Sequence, residues 1–136
     1  MDDETVAKRT ETTIKMANAS GESAETISSY MTAIWNNFED GSETVEHYAD
    51  VIALLGATTA ASNADIAEGM QAFAATADTV GLSYEYAAAA LTTLVDRTQQ
   101  SASKIGTSLK TIFARLSSVS LGETLEDDVN LTKYTT

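Results

Sequence analysis

The stretch from Ser23 to Gly41, SAETISSYMTAIWNNFEDG, decides the fold class. Its large apolar residues recur at the three- and four-residue spacing of a helix, which places them on one face. Ser23 precedes this pattern as a helix N-cap, and Asp40-Gly41 follows it as a turn. The stretch therefore predicts an amphipathic helix with the buried stripe Ile27, Tyr30, Met31, Ile34, Trp35 and Phe38.

Serines precede three further apolar stripes. Ser42, Ser62 and Ser83 can each accept a hydrogen bond from a free backbone N–H in the first turn of a helix. Ser62 to Asp65 also has the Ser-x-x-Asp form of a capping box, and Gly81 is expected to take the left-handed conformation that ends a helix. The three stripes are Val45, Tyr48, Ala49, Ile52 and Leu55; Ile66, Met70, Phe73, Ala77 and Val80; and Ala87, Leu91, Leu94 and Val95.

The first and last helices lie near the two ends of the chain. Residues 4–18 carry a sparse apolar stripe, so we expect residues 1–20 to form a weakly ordered helix that needs a partner. The stripe consists only of Val6, Ile14, Met16 and Ala17. The last helix is expected to begin near Ser101 or Ser103 and to end before Leu121-Gly122, with residues 121–136 as a tail that leads to a missing helix. Its apolar face is Ile105, Leu109, Ile112, Phe113 and Leu116.

These elements together predict an all-α fold, an antiparallel bundle of five to six amphipathic helices. The chain has no proline, and its connections are short, which favours antiparallel neighbours. At 136 residues we expect one domain, 1–136, with a core of its own. The small residues Ala87 to Ala90 predict a tight helix crossing.

Charge is distributed unevenly along the sequence. The formal net charge is −12, which opposes binding to nucleic acid or to anionic membranes. No Lys or Arg lies between Lys15 and Arg97, whereas Arg97, Lys104, Lys110 and Arg115 follow with no acid between them. Two interpretations remain open: the last helix neutralises the acidic helices by packing on them, or its cations form a docking surface for another subunit.

Several classes of site find little support in the sequence. The chain has no cysteine, no apolar run long enough to span a bilayer and no basic signal sequence at its acidic N-terminus. The single histidine, His47, shares a helix face with Glu43 and Asp50, a weak pattern for a metal. Gly106-Thr107-Ser108 lacks the first glycine of a phosphate loop, and no Ser-His-Asp arrangement is supported. We predict no catalytic, cofactor or metal residues.

Aromatic residues are the remaining candidates for binding. Trp35 and Phe38 lie within an apolar stripe, which predicts core positions rather than an exposed anchor. Tyr84 and Tyr86 cannot share one narrow helix face, so at least one of them is expected near the surface. The candidate partner contacts are Tyr84, Tyr86, Lys104, Lys110 and Arg115.

The sequence resembles the conserved helical region of phage tail tape measure proteins. The resemblance runs in order from Ile27 to Tyr134, and the ranges that carry it are 32–38, 47–51, 66–70, 73–77, 81–85, 97–101, 105–115 and 121–134. In that family another helix usually follows the last range. The resemblance therefore implies that the chain is a fragment of a longer protein.

The resemblance also implies a function. A tape measure protein occupies the tail tube during assembly, its length sets the tail length, and it leaves the tube ahead of the DNA at infection. The implied partners are tube, baseplate or chaperone proteins and further copies of the chain. The implied location is the virion tail, after synthesis in the host cytoplasm.

The residues leave two alternatives to this function, one enzymatic and one not. Glu22-Ser23 with Gly69-Met70-Gln71 is faintly similar to elements of lytic transglycosylases, where Glu22 would be a general acid that needs burial. A free-standing helical interaction module of the Trp-x-Gly hairpin type is the other alternative, but Trp35-Asn36-Asn37 lacks its glycine. A structural segment without catalytic activity remains the expected function.

Overall fold

The fold consists of six α-helices that pack on a shared core. The structure is a computed structural model of the protein. It describes residues 2–125, and their side chains as far as residue 117. The helices are α1 (Asp3–Ser20), α2 (Ala24–Phe38), α3 (Val45–Thr58), α4 (Asn63–Thr79), α5 (Tyr84–Thr98) and α6 (Ala102–Leu125). The predicted all-α class is confirmed.

Side-chain caps start these helices, as the sequence predicted for most of them. Ser23, Ser62 and Ser83 are the N-caps of α2, α4 and α5, and each accepts a hydrogen bond from the third residue of its helix. Ser101 accepts from the Lys104 backbone N–H at 3.2 Å, so it serves the same purpose for α6. Gly81 follows α4 with a φ of 85°, which confirms the predicted left-handed turn.

Two predicted helix boundaries are wrong. α3 begins at Val45 with Thr44 as its N-cap, because Ser42 is turned back to bond with Asp40, whose Oδ1 accepts from the Ser42 backbone N–H at 2.9 Å. α6 continues through Leu121 and Gly122 to Leu125. A single glycine costs a helix only about 1 kcal/mol, which continuous hydrogen bonding on either side offsets.

The N-terminal helix is longer than its sparse apolar stripe suggested. α1 spans Asp3–Ser20, with Asp2 as its N-cap, and packs on α2 and α3. Threonine methyl groups extend its buried face, since Thr12 and Thr13 are only 6% and 7% exposed beside Met16 and Ala17. Hydrophobic residues alone therefore underestimate the surface that this helix buries.

The core surrounds α4, the helix that touches all the others. Phe73 and Met70 of α4 are fully buried, as are Ile34 of α2 and Leu91 of α5. Trp35 is 2% exposed, and its indole Nε1 donates a hydrogen bond to the Val45 carbonyl oxygen at 3.1 Å. Because the only polar atom of this large side chain is satisfied, its burial stabilises the contact of α2 with the start of α3.

Two glycines allow α4 and α6 to cross closely. A Cβ added at Gly106 would collide with the Gly69 backbone, and one added at Gly69 would lie 2.8 Å from the Ala102 carbonyl oxygen. Farther along the same two helices, the Phe73 and Phe113 rings are 5.6 Å apart. Both contacts advance in the same direction, so α4 and α6 run parallel, as alternate members of an antiparallel series do. Ala87 and Ala88 of the predicted small-residue crossing are also fully buried.

Truncation of Trp35 tests the importance of the α2 stripe. We expect Trp35→Ala to lower the free energy of unfolding by about 3–5 kcal/mol, because it leaves a cavity and an unpaired Val45 carbonyl. Chemical denaturation measures this change. Ile112→Ala is the control: Ile112 is 52% exposed, so its truncation is expected to change stability by no more than about 0.5 kcal/mol. Coincident denaturation curves for Trp35→Ala and the parent would contradict a core position.

Alanine at Gly106 tests the close crossing. A glycine to alanine change inside a helix ordinarily stabilises it by roughly 0.5–1 kcal/mol. At Gly106 the added methyl must push α6 away from α4, which is expected to cost about 1–3 kcal/mol and to reverse the sign. Gly56→Ala is the matched control, because its Cβ would meet mainly the movable end of the Asn63 side chain. Thermal melts should rank Gly106→Ala below the parent and below Gly56→Ala.

Candidate interaction surfaces

The two neighbouring tyrosines of α5 point in different directions. Tyr84 is 3% exposed, its ring packs against Phe38 and Tyr48, and its hydroxyl donates to the Tyr48 carbonyl oxygen at 2.7 Å. Burial raises the pKa of Tyr84 well above the ordinary value, so the hydroxyl stays a neutral donor. Tyr86 is 60% exposed. Of the two candidates for partner contact, only Tyr86 presents its ring to a partner.

Trp35 is part of the core rather than an anchor on the surface. The Arg9 guanidinium lies 5.1 Å from the centre of its ring and closes the α1 side of the site. Arg9 Nη2 donates to Glu39 Oε2 at 3.0 Å, and both side chains are 15% exposed. This partly buried ion pair joins α1 to the end of α2.

Arg97 and the three cations of α6 lie on the surface. We call Arg97, Lys104, Lys110 and Arg115 the basic segment; all four are exposed. Within residues 2–117, none of them forms an ion pair with a carboxylate. Among the described side chains, the packing of α6 on α4 and α5 therefore gives these charges no close carboxylate partner of the kind that neutralisation would supply.

Helix geometry places the three cations of α6 on two sides of that helix. At about 100° per residue, Lys104 and Arg115 lie within roughly 20° of each other, and Lys110 lies about 120° from Lys104. Ile112 is about 60° from Arg115 on the same helix. Ile112 and Leu116 are 52% and 54% exposed, although the sequence placed both on the buried face. In the part of α6 whose side chains are described, Ile112 and Leu116 are thus exposed beside Arg115, which has no carboxylate partner there.

His47 joins two helices through carboxylates. Its Nε2 lies 2.6 Å from Glu85 Oε1 of α5, and its Nδ1 lies 3.7 Å from Glu43 Oε2. The sequence grouped His47 with Glu43 and Asp50, but the side chain turns towards Glu85, which is distant in sequence. In the described part of the chain, no three histidine, aspartate or glutamate side chains are arranged to hold a metal ion.

The residues that are faintly similar to lytic transglycosylase elements lie in a turn, a helix cap and a contact between helices. Glu22 is exposed in the turn before α2, and Ser23 is the N-cap of that helix. The Gln71 amide donates to Ser29 Oγ at 2.9 Å, which ties α4 to α2. A glutamate that acts as a general acid needs a buried position, and the Glu22 side chain is exposed.

A groove between α1 and α2 is a feature that the sequence did not indicate. Its volume is about 560 Å³, and Trp35 contributes to its lining. Val6 and Ile14, which the sequence assigned to a weak apolar stripe, stand beside it at 47% and 48% exposure. The stripe was visible in the sequence, but the space next to it depends on how α1 packs on α2.

The fold is a helical structural module, and the residues that it exposes include Tyr86, the basic segment, Ile112 and Leu116. In agreement with that class, a family model for phage-related minor tail proteins matches residues 1–133. The chain belongs to this family, and it is a structural component of a phage tail. The comparisons with curated proteins and with solved structures found no match. None of the helices in residues 2–125 has the length and apolar content needed to cross a membrane.

The contact between His47 and Glu85 predicts a pH dependence of stability. The hydrogen bond from His47 lowers the pKa of Glu85 below the ordinary glutamate value. A carboxyl whose pKa is lowered by folding contributes stability that is present above its unfolded pKa and lost as the pH falls through the folded one. We expect Glu85→Gln to melt below the parent near pH 6, with the difference shrinking from about pH 4.3 downward.

The matched control is Glu25→Gln. Glu25 and Glu85 are both the second residue of their helices, so both changes remove the same favourable interaction with the helix dipole. Glu25 has no histidine partner in the described structure. Melting curves across the acidic range should separate the two variants near neutrality and bring them together in acid. Equal effects at all pH values would mean that His47 contributes nothing.

Proposed function

We propose that this chain is a segment of a phage tail tape measure protein, which contributes to tail assembly and tail length through helix and subunit contacts. The resemblance over Ile27 to Tyr134 supports the tape measure role, and membership in the minor tail family is consistent with it. In this proposal the 136 residues are one domain of a longer protein. The proposed partners are tube, baseplate or chaperone proteins and further copies of the chain.

The exposed basic segment is the observation that carries the proposed mode of action. Its cations have no carboxylate partners within residues 2–117, in a chain whose net charge is −12. An unpaired cation on an acidic protein attracts an acidic partner at close range, while the rest of the surface repels it. The orientation of docking would then be fixed by α6.

The apolar residues on α6 define the chemistry of that partner. Ile112 and Leu116 lose contact with water only when another surface covers them, and Arg115 lies next to them on the helix. An amphipathic helix with carboxylates beside its apolar stripe matches both features. We therefore assign the outer face of α6 to an acidic helix of another tail protein.

A non-catalytic role agrees with the positions of the possible chemical residues. Glu22 is exposed, and His47 contacts Glu43 in the turn before α3 and Glu85 on α5. The glutamate contacts of His47 and the exposed turn position of Glu22 account for where both side chains lie, with no reaction needed. The proposed tail function depends on the helical fold and on its contact surfaces. It therefore predicts that changes in the basic segment disturb tail assembly more than changes at Glu22 or His47.

Charge reversal in the parent phage tests the proposal. We expect the combined changes Lys104→Glu, Lys110→Glu and Arg115→Glu to reduce the yield of normal tails, because both charged sides of α6 would then repel an acidic partner. Glu22→Gln and His47→Gln are the comparison set and should leave tail number and length near those of the parent. Electron microscopy of particles measures both quantities, and circular dichroism of the purified chains checks that each variant folds.

The opposite pattern would contradict the scaffold function. If Glu22 or His47 changes abolish infection while tails assemble at normal length, and the basic-segment changes have no effect, the segment has an activity other than assembly. Peptidoglycan release by the purified chain is the direct assay for the glycosidase alternative. The parent protein with an internal deletion of this segment tests tail length itself, since a tape measure predicts proportionally shorter tails.

A further inference from the structure

The two halves of α1 are attached to the bundle in different ways. The buried residues of this helix all lie in its second half, and they are Thr12, Thr13, Met16 and Ala17. No residue from 3 to 11 is fully buried, and the side chain of Val6 is 47% exposed. Packing stabilises a helix mainly through the apolar surface that it buries. The first half of α1 therefore depends on polar contacts for its position against α2.

Arg9 makes the polar contacts that hold this first half in place. Its Nη2 donates to Glu39 Oε2 at 3.0 Å, and its Nη1 donates to Asn36 Oδ1 at 3.4 Å, both near the end of α2. Among the described residues, no other side chain of residues 3–11 forms a hydrogen bond or an ion pair outside α1 and its cap. We call the Arg9–Glu39 ion pair the latch.

The latch stabilises the closed position only in part, because closing it buries one donor without an acceptor. Arg9 Nε is buried and has no hydrogen-bond acceptor among the described residues. Such a donor loses its hydration with no compensating bond, so it cancels part of the stability that the ion pair contributes. When residues 3–11 move away from α2, Nε is hydrated again. The loss of the ion pair on opening is therefore partly offset.

The surroundings of the latch allow residues 3–11 to move without the rest of the bundle. A groove of about 560 Å³ already separates part of this half from α2, so few packed side chains have to part. The chain connects α1 to α2 at the opposite end of the helix, through Gly21. Residues 3–11 can therefore separate from α2 while residues 12–20 stay packed.

We propose that residues 3–11 open from the bundle as a unit while residues 12–20 and the other helices stay folded, and that the latch sets how often they open. The opened segment unwinds, because a short helix without packing is marginal in water. Opening also removes the Arg9 guanidinium from its position 5.1 Å from the centre of the Trp35 ring. The fold thus has a second, minor conformation in which the α1 side of Trp35 meets water.

This local opening goes beyond the proposed tail function and does not depend on it. It is a property of the isolated chain, whereas the tail-assembly experiment changes α6 in the parent phage. The two proposals can therefore fail separately.

Hydrogen exchange of the whole chain, followed by NMR for each residue, tests the local opening. We expect the backbone amides of residues 7–11 to exchange at least about a hundredfold faster than those of Met70 and Phe73 in α4, relative to their intrinsic rates. Low concentrations of denaturant should accelerate exchange in α4 but hardly change it at residues 7–11. The reason is that a local opening exposes much less surface than unfolding of the bundle does.

Three variants separate the latch from the rest of the bundle. Glu39→Gln removes the charge that Arg9 contacts, so we expect it to raise exchange at residues 7–11 at least about fivefold. Glu25→Gln is the matched control and should leave this exchange unchanged, because Glu25 also borders the groove but has no described ion pair. Gly106→Ala weakens the α4–α6 crossing. It should accelerate exchange in α4 only, since residues 7–11 open while the crossing stays intact.

Trypsin digestion of the same variants gives a second readout. A long stretch without Lys or Arg separates the cations of α1 from those of α6, so the cleavage products of the two helices differ clearly in mass. We expect Glu39→Gln to accelerate cleavage after Lys8 and Arg9, because cleavage follows the population of the open form. Gly106→Ala should accelerate cleavage after Lys104 and leave the cleavage of α1 unchanged.

Each outcome supports or overturns the latch. Rapid exchange at residues 7–11 that Glu39→Gln raises, and that Glu25→Gln and Gly106→Ala leave unchanged, supports it. Exchange at residues 7–11 that follows α4 in rate and in its response to Gly106→Ala overturns it, because α1 then opens only with the whole bundle. Rapid exchange that Glu39→Gln does not alter also overturns it. If Gly106→Ala does not fold, the denaturant dependence of exchange in the parent chain still separates local opening from global unfolding.

Discussion

The packing of every other helix on α4 is the constraint on which the structure depends. α4 can be shared in this way because residues without bulk face its neighbours where space is shortest. The space that a Cβ at Gly69 would need is taken by the Ala102 carbonyl oxygen of α6 and the Leu91 side chain of α5, and Ala67, Ala74 and Ala77 are fully buried. The large side chains then fill the space between helices rather than the space at the crossings. A central helix with a bulky residue at position 69 would have to give up one of its partners.

Local chemistry explains why so much of the fold could be predicted. A capping serine and an apolar stripe act within a few residues, so the starts of α2, α4 and α5 followed from sequence. The boundaries that were wrong depend on competition between two local solutions. At Ser42, a hydrogen bond to Asp40 prevails over a helix start, and Thr44 takes the cap. At Gly122, the helix continues because a glycine only weakens it.

The candidate surfaces were less accessible to sequence reasoning, since they depend on which helices become neighbours. The sequence predicted that at least one of Tyr84 and Tyr86 lies near the surface, but not which one. His47 contacts Glu43, as local spacing indicated, but its shorter contact is with Glu85 on another helix, which local spacing could not show. Ile112 and Leu116 have the spacing of core residues, yet α6 presents them to solvent. Periodicity identifies the apolar face of a helix, and only tertiary packing decides how much of that face is covered.

The position of α6 in the fold bears on the proposed contact with another tail protein. α6 packs mainly against α4 and α5, whereas α1 packs against α2, α3 and α4. The cations of α1 pair with carboxylates, and within residues 2–117 those of α6 have no carboxylate partner. In the proposed function, the cations of α6 are therefore the ones available to an acidic helix of a partner.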